Sequence, residues 1–192
     1  MKVLNFIQSD ATFSPCGKYR WSLKRKINKS LKTIIFIGLN PSLANSINDD
    51  ATLTRLIKFS DCWGYGSLLV FNLFARISKD PRNLKLCDDP IGSKNSFELE
   101  NAFQKWSDDE FYDLWLGWGT QGKYLNRNNE VLEIIEGFNK KRFEKFPNAS
   151  KPYAIGITKA GFPRHPLYAS SKDVLRTFDF FQKRPILKKE NP

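Results

Sequence analysis

Three polar residues interrupt apolar runs of this sequence at places where a side chain could do chemistry. Asn40 lies in Gly-Leu-Asn-Pro-Ser, directly after TIIFI; Asn72 breaks LLVFNLF; His165, the single histidine, sits in GFPRHPLY. No carboxylate, histidine or cysteine neighbours Asn40. An amide is a poor acid and a poor base, so a reaction run from this loop is one in which a water needs placing more than deprotonating. Asn40 can accept a hydrogen bond from such a water while donating another. The plainer role is an Asx turn that satisfies local backbone. Gly38 lets the chain turn sharply, and Pro41 fixes the turn. Asn72, if buried, must find partners, since leaving them unmade costs roughly 1–3 kcal/mol. It is therefore either a satisfied structural amide or a reader of the edge of a planar ligand. His165 can donate to an anionic leaving group, or simply brace its loop.

An alternation of strands and helices must position these residues. Residues 33–39 form a near-continuous apolar run, as in a strand covered on both faces. Residues 51–60 carry apolar positions at helical spacing behind Asp50, a good N-cap. Further strands are predicted over 67–74, 111–116 and 153–158, and further helices over about 93–106, 121–138 and 171–181. An alternating strand over about 19–27 precedes them all. This order implies right-handed crossovers and an α/β fold. The expected form is a three-layer α/β/α sandwich with a mostly parallel central sheet of about four strands. It forms one domain over 1–192, with an N-terminal β extension over 1–30 and a basic tail over 182–192. Ligands of such folds bind at the carboxyl ends of the strands. GLNPS, NLFAR, GWGTQG and KAGFPRHPLY follow the four core strands, so all four loops should share one rim.

Composition narrows the partners. The chain has 192 residues, 41% of them apolar and 14% aromatic, which suits a globular domain with a sizeable core. Thirty-one Lys and Arg against 20 acids give a net charge of +11. Such a field attracts polyanions, a nucleic acid or an anionic membrane. No apolar run approaches the roughly 20 residues of a membrane span, and MKVLNFIQSD lacks a signal-peptide core, so nucleic acid is favoured. Cys16, Cys62 and Cys87 are dispersed, with no C-x-x-C pair. That fits a reducing cytoplasm and argues against a disulfide framework, and a single histidine argues against a metal centre. No cofactor is expected. On this background Arg76 and Arg164 can grip phosphates or stay solvated, and Phe162 and Tyr168 can wedge or stack against bases.

The segments FSPCGKYR, GLNPS, DDAT, WGYGSLLVFNLFAR, DDPIGSKN and GFPRHPLY together resemble a bacterial and phage family known as the domain-of-unknown-function 1643 family, over nearly the whole chain. More distantly, three loops resemble the uracil-DNA glycosylase superfamily. Its mismatch-specific branch carries Gly-Ile-Asn-Pro-Gly, similar to residues 38–42 here. That resemblance implies a uracil-DNA-glycosylase-like fold in which Asn40 positions the water. It implies that Asn72 reads a flipped base, and that His165, in a partly matching His-Pro loop, stabilises the base as it leaves. The partner implied is DNA, double-stranded with one nucleotide flipped out, bound by a monomer.

Two departures shape the expectation. The stretch SLANSINDDAT has no aromatic residue where the superfamily stacks one on the base, so Phe74 or Phe162 would have to substitute. Ser42 stands where uracil-specific members place a tyrosine that blocks ring substituents, leaving room for a bulky C5 group. Asp49 and Asp50 can accept from the exocyclic amine of a cytosine-type base, while Asp50 can equally cap the helix behind it. The expectation is a monofunctional DNA glycosylase acting on a C5-modified pyrimidine, such as phage glucosylated hydroxymethylcytosine, in antiviral defence. The alternatives are a uracil-excising repair enzyme, a hydrolase of free nucleosides, or a module that grips nucleic acid without chemistry.

Overall fold

The structure, a computed structural model, describes residues 8–179. One mixed sheet of seven strands runs through it in the order β1-β2-β4-β3-β5-β6-β7. The strands are β1 (Gln8–Phe13), β2 (Arg20–Lys26), β3 (Thr33–Gly38), β4 (Ser67–Asn72), β5 (Tyr112–Leu116), β6 (Tyr153–Ala154) and β7 (Arg176–Thr177). The helices are α1 (Ala51–Cys62), α2 (Asn95–Asp108) and α3 (Arg127–Lys145). β4, β3, β5 and β6 pair in parallel, as the strand–helix alternation predicts. The sheet is nevertheless larger and more mixed than the expected four strands. The β1–β2 hairpin adds antiparallel strands at one edge and β7 adds another at the far edge.

Every residue of β3 is buried, because the strand is flanked on both sides and covered on both faces. Alternate residues feed two separate cores. Ile34, Phe36, Leu68, Val70 and Trp115 pack with Leu53, Leu56 and Ile57 of α1. Ile35, Ile37, Phe71, Leu114 and Leu116 pack with Leu99 and Phe103 of α2 and with Val131 and Ile135 of α3. Asp50 caps α1 by accepting from the Leu53 amide at 2.8 Å.

Three predicted elements differ. The helix expected over 121–138 begins at Arg127, because Leu125 and Asn126 hold left-handed φ values of 51° and 55°, and it continues to Lys145. β6 stops after two residues, where Gly156 takes a φ of 152° and the chain turns into a small hairpin closed by an Ile157–Pro163 bridge. The last helix does not form over the described part of 171–181; a turn leads into β7, which pairs Arg176 with Ala154 and Thr177 with Tyr153. The tail over 182–192 and residues 1–7 lie outside the described residues. No helix among the described residues is long and apolar enough to cross a membrane.

Candidate functional site

The four loops that follow β3, β4, β5 and β6 surround one cleft of about 740 Å³. Asn40 and Ser42 come from the first loop, Ser78–Arg82 from the second, Trp118–Gln121 from the third, and His165, Leu167 and Tyr168 from the fourth. Beside the cleft lies an inner hollow of about 50 Å³, lined by Asn40, Ser42, Asp50, Asn72 and His165 among others. Leu39, Asn40, Ser42, Asp50, Thr52 and His165 line both spaces, and so form a threshold between them. The deep end is walled by Phe36, Leu53, Leu56 and Val70, with Asn72 and Arg20 as its polar groups.

Asn40 is anchored by its amide nitrogen. Nδ2 donates to the Pro41 carbonyl at 3.0 Å and to the Ser78 carbonyl at 2.9 Å. The Ser78 amide in turn donates to the Pro41 carbonyl at 2.9 Å, so the β3 and β4 loops are stitched together. Both amide hydrogens are thereby engaged, and the acceptor Oδ1 is the atom left for a ligand or a water.

Gly38 serves this site differently from the expected sharp turn. It ends β3 directly opposite Asn72 in the parallel register. A Cβ there would stand 2.9 Å from Asn72 Oδ1 and 2.9 Å from Phe36 Cε1. The glycine makes room for the amide. Asn72 itself is 4% exposed, and its Nδ2 is buried with no hydrogen-bond partner. Behind it, Asn95 Nδ2 donates to the Leu73 carbonyl at 2.8 Å and Arg127 Nε to the same carbonyl at 3.1 Å, fixing the end of β4. This gives the DDPIGSKN segment a role that its composition did not reveal.

His165 is partly buried, and burial pushes its imidazole down to about 4, an effect partly opposed by the Asp50 carboxylate. The Leu167 amide donates to His165 Nδ1 at 3.3 Å. A neutral ring that accepts at Nδ1 carries its proton on Nε2. The loop is held from α1, where Arg55 Nε donates to the Pro166 carbonyl at 2.8 Å and Arg55 Nη2 to the Ala169 carbonyl.

Not every expected residue reaches the site. Phe74 is 0% exposed and packs in the core with its ring 5.7 Å from Tyr124, so it lines neither space and cannot stack on a ligand. Phe162 is half-buried against the same core and is also away from the lining. Arg76 lies with its guanidinium 5.6 Å from the Tyr19 ring, and Arg164 sits over Gly156; neither lines the cleft. Tyr168 does line it and is 80% exposed. Asp49 is engaged by Arg25, with Nη2 donating to Oδ1 at 2.7 Å.

One residue escaped the sequence reading. Arg20, at the start of β2, is 4% exposed, lines the inner hollow and donates from Nη1 to the Ala44 carbonyl at 2.7 Å. Its Nε is buried without a partner. Burial lowers its guanidinium to about 10, with Asp50 opposing that shift, so it remains charged at neutral pH. Within YRWSLKRK it reads as one more cation of a basic strand.

A family model described as a protein of unknown function, DUF1643, matches residues 20–167. The chain belongs to that family. The DUF1643 match opens at Arg20 and closes at Leu167, and so encloses every residue that lines the inner hollow. No curated protein matches the chain, and no solved structure does.

Proposed function

We propose that this DUF1643 protein is a monofunctional DNA glycosylase of uracil-DNA-glycosylase-like, three-layer architecture. It hydrolyses the N-glycosidic bond of a flipped, C5-modified pyrimidine and leaves an abasic site. Phage glucosylated hydroxymethylcytosine is the type of substrate meant, and antiviral defence in the cytoplasm, by a monomer, the setting. The observation that carries this reading is that Asn40, Asn72 and His165 line one hollow beside a cleft formed by four loops.

In the reaction, the bond from the sugar C1′ to the base nitrogen breaks and its electron pair leaves with the base. The sugar becomes an oxocarbenium ion, a water adds to C1′, and the proton that this water loses neutralises the departed base anion. Such a barrier falls mainly through preorganised donors aimed at the departing anion. His165 suits that task as a neutral Nε2–H donor, and Asn72 suits the base edge. Asn40, with Nδ2 held by two carbonyls, offers Oδ1 to the attacking water. Ser42, small and on the threshold, leaves space for the C5 group. Flipping the nucleotide costs a few kcal/mol, which the +11 chain can recover through phosphate contacts.

The test is to incubate the protein with DNAs carrying glucosylated hydroxymethylcytosine, uracil or unmodified bases, treat with alkali and look for strand breaks. Breaks at the modified cytosine are expected. Breaks at uracil alone would assign the protein to repair. No breaks in any DNA would leave a binding module and end the glycosylase reading.

A further inference from the structure

The deep end of the hollow holds a buried guanidinium that the proposed chemistry leaves unused. Arg20 and Asp50 line the same space, yet no ion pair joins them among the described residues. Asp50 presents Oδ1 to the Leu53 amide, which leaves Oδ2 as an acceptor at the threshold. Arg20 has one hydrogen bond to Ala44, and its Nε–H finds no partner. A buried donor without a partner is costly and calls for a ligand atom that accepts. Guanidinium has five N–H donors and no acceptor, and carboxylate has acceptors only, so neither group can reverse its role.

We propose that Arg20 is a specificity-determining residue of this site. It donates to the ring nitrogen N3 of a cytosine-type base, while Asp50 accepts from the N4 amine. The inference rests on the base-excision reading and adds the residue by which the site tells a cytosine ring from a uracil ring. The hollow is too small for a whole pyrimidine, so it receives the edge of the ring while the ring itself occupies the cleft. On a cytosine edge the unprotonated N3 is central and faces Arg20, flanked by O2, whose two lone pairs take the His165 and Asn72 donors, and by the N4 amine toward Asp50. A uracil-type edge mismatches both groups: its N3–H meets the Arg20 donors, and its O4 meets the Asp50 carboxylate. Sites built to pair a particular polar group reject the analogue that lacks it, because their own buried groups are left unpaired.

The experiment uses the full chain labelled with ¹⁵N-arginine and two oligonucleotides that differ at one base. One carries 2′-fluoroarabinosyl cytosine and the other 2′-fluoroarabinosyl uracil, the fluorine keeping the glycosidic bond intact. Assigned by its loss in Arg20→Lys, the Arg20 Nε–H resonance should move when the cytosine oligonucleotide binds and stay in place with the uracil one. Affinity should favour cytosine by at least about tenfold. Arg20→Lys should bring the two affinities together. Equal affinities for the wild type, or an Arg20 signal unmoved by either DNA, would overturn the proposal, and both are read on the wild-type fold. A cytosine preference without abasic product from native DNA would instead retain Arg20 and remove the glycosylase.

Discussion

His165 and Asn40 differ in what their surroundings leave free, a donor in one and an acceptor in the other, and the proposed reaction draws on both. His165 keeps Nε2–H, and removing one anion-stabilising donor of this kind costs roughly a hundred- to a thousandfold in rate. His165→Ala and Asn40→Ala should therefore bind DNA and excise poorly, and wild-type excision by both would overturn these roles. The depressed histidine also carries a stability signature. Folded, it titrates near 4 against 6.5 for the free group, so between those values the unfolded chain binds a proton that the folded one does not. The contribution is fully present above about 6.5 and is lost as pH falls toward 4. Denaturant melts at pH 7 and pH 4.5 should show a larger acid loss for the wild type than for His165→Asn; equal losses would refute the assignment. Gly38→Ala tests the room made for Asn72. With two contacts at 2.9 Å, the added methyl should destabilise the fold by roughly 1–3 kcal/mol in urea.

At the scale of elements, the parallel core was legible because its signals are local and agree. Ile34–Ile37 and Leu68–Phe71 are unbroken apolar stretches, and Asp50 announces α1 and then caps it. The late chain was not, because its signals conflict. Val174, Leu175 and Phe178 offer helical spacing, yet Arg176 and Thr177 find an open edge at β6, and sheet pairing decides. The same division runs through the site. The rim follows from strand order, whereas Arg20, 4% exposed, is held by long-range partners that no single segment encodes, its amide donating to the Ala75 carbonyl and its Nη1 to the Ala44 carbonyl. Phe74 fails in the opposite sense, since an aromatic residue near a strand end belongs to the core more often than to a ligand. Arg55 shows what positioning by another element means. Its two bonds to the Pro166 and Ala169 carbonyls hold the histidine loop to α1. Arg55→Ala should raise hydrogen exchange at the Leu167–Ala169 amides by roughly tenfold, the loss of about one charged hydrogen bond, with little change in the core strands. Unchanged exchange there would show that the loop needs no clamp.

Across the whole molecule, charge is the property that reaches furthest from the hollow. At +11 the chain should meet DNA through many phosphates, and each neutralised phosphate releases counterions. The slope of log affinity against log salt should be steep, on the order of −4 or beyond. A slope near zero would favour a free nucleoside as ligand, since that molecule offers no phosphate chain.

The register that sets Gly38 beside Asn72 also constrains how this fold can change over generations. A methyl gained on one strand and an amide kept on its neighbour occupy the same volume, so position 38 is not free to gain a side chain while the amide stays. Lineages that enlarge the first must shrink or turn the second, and with it abandon whatever the amide holds.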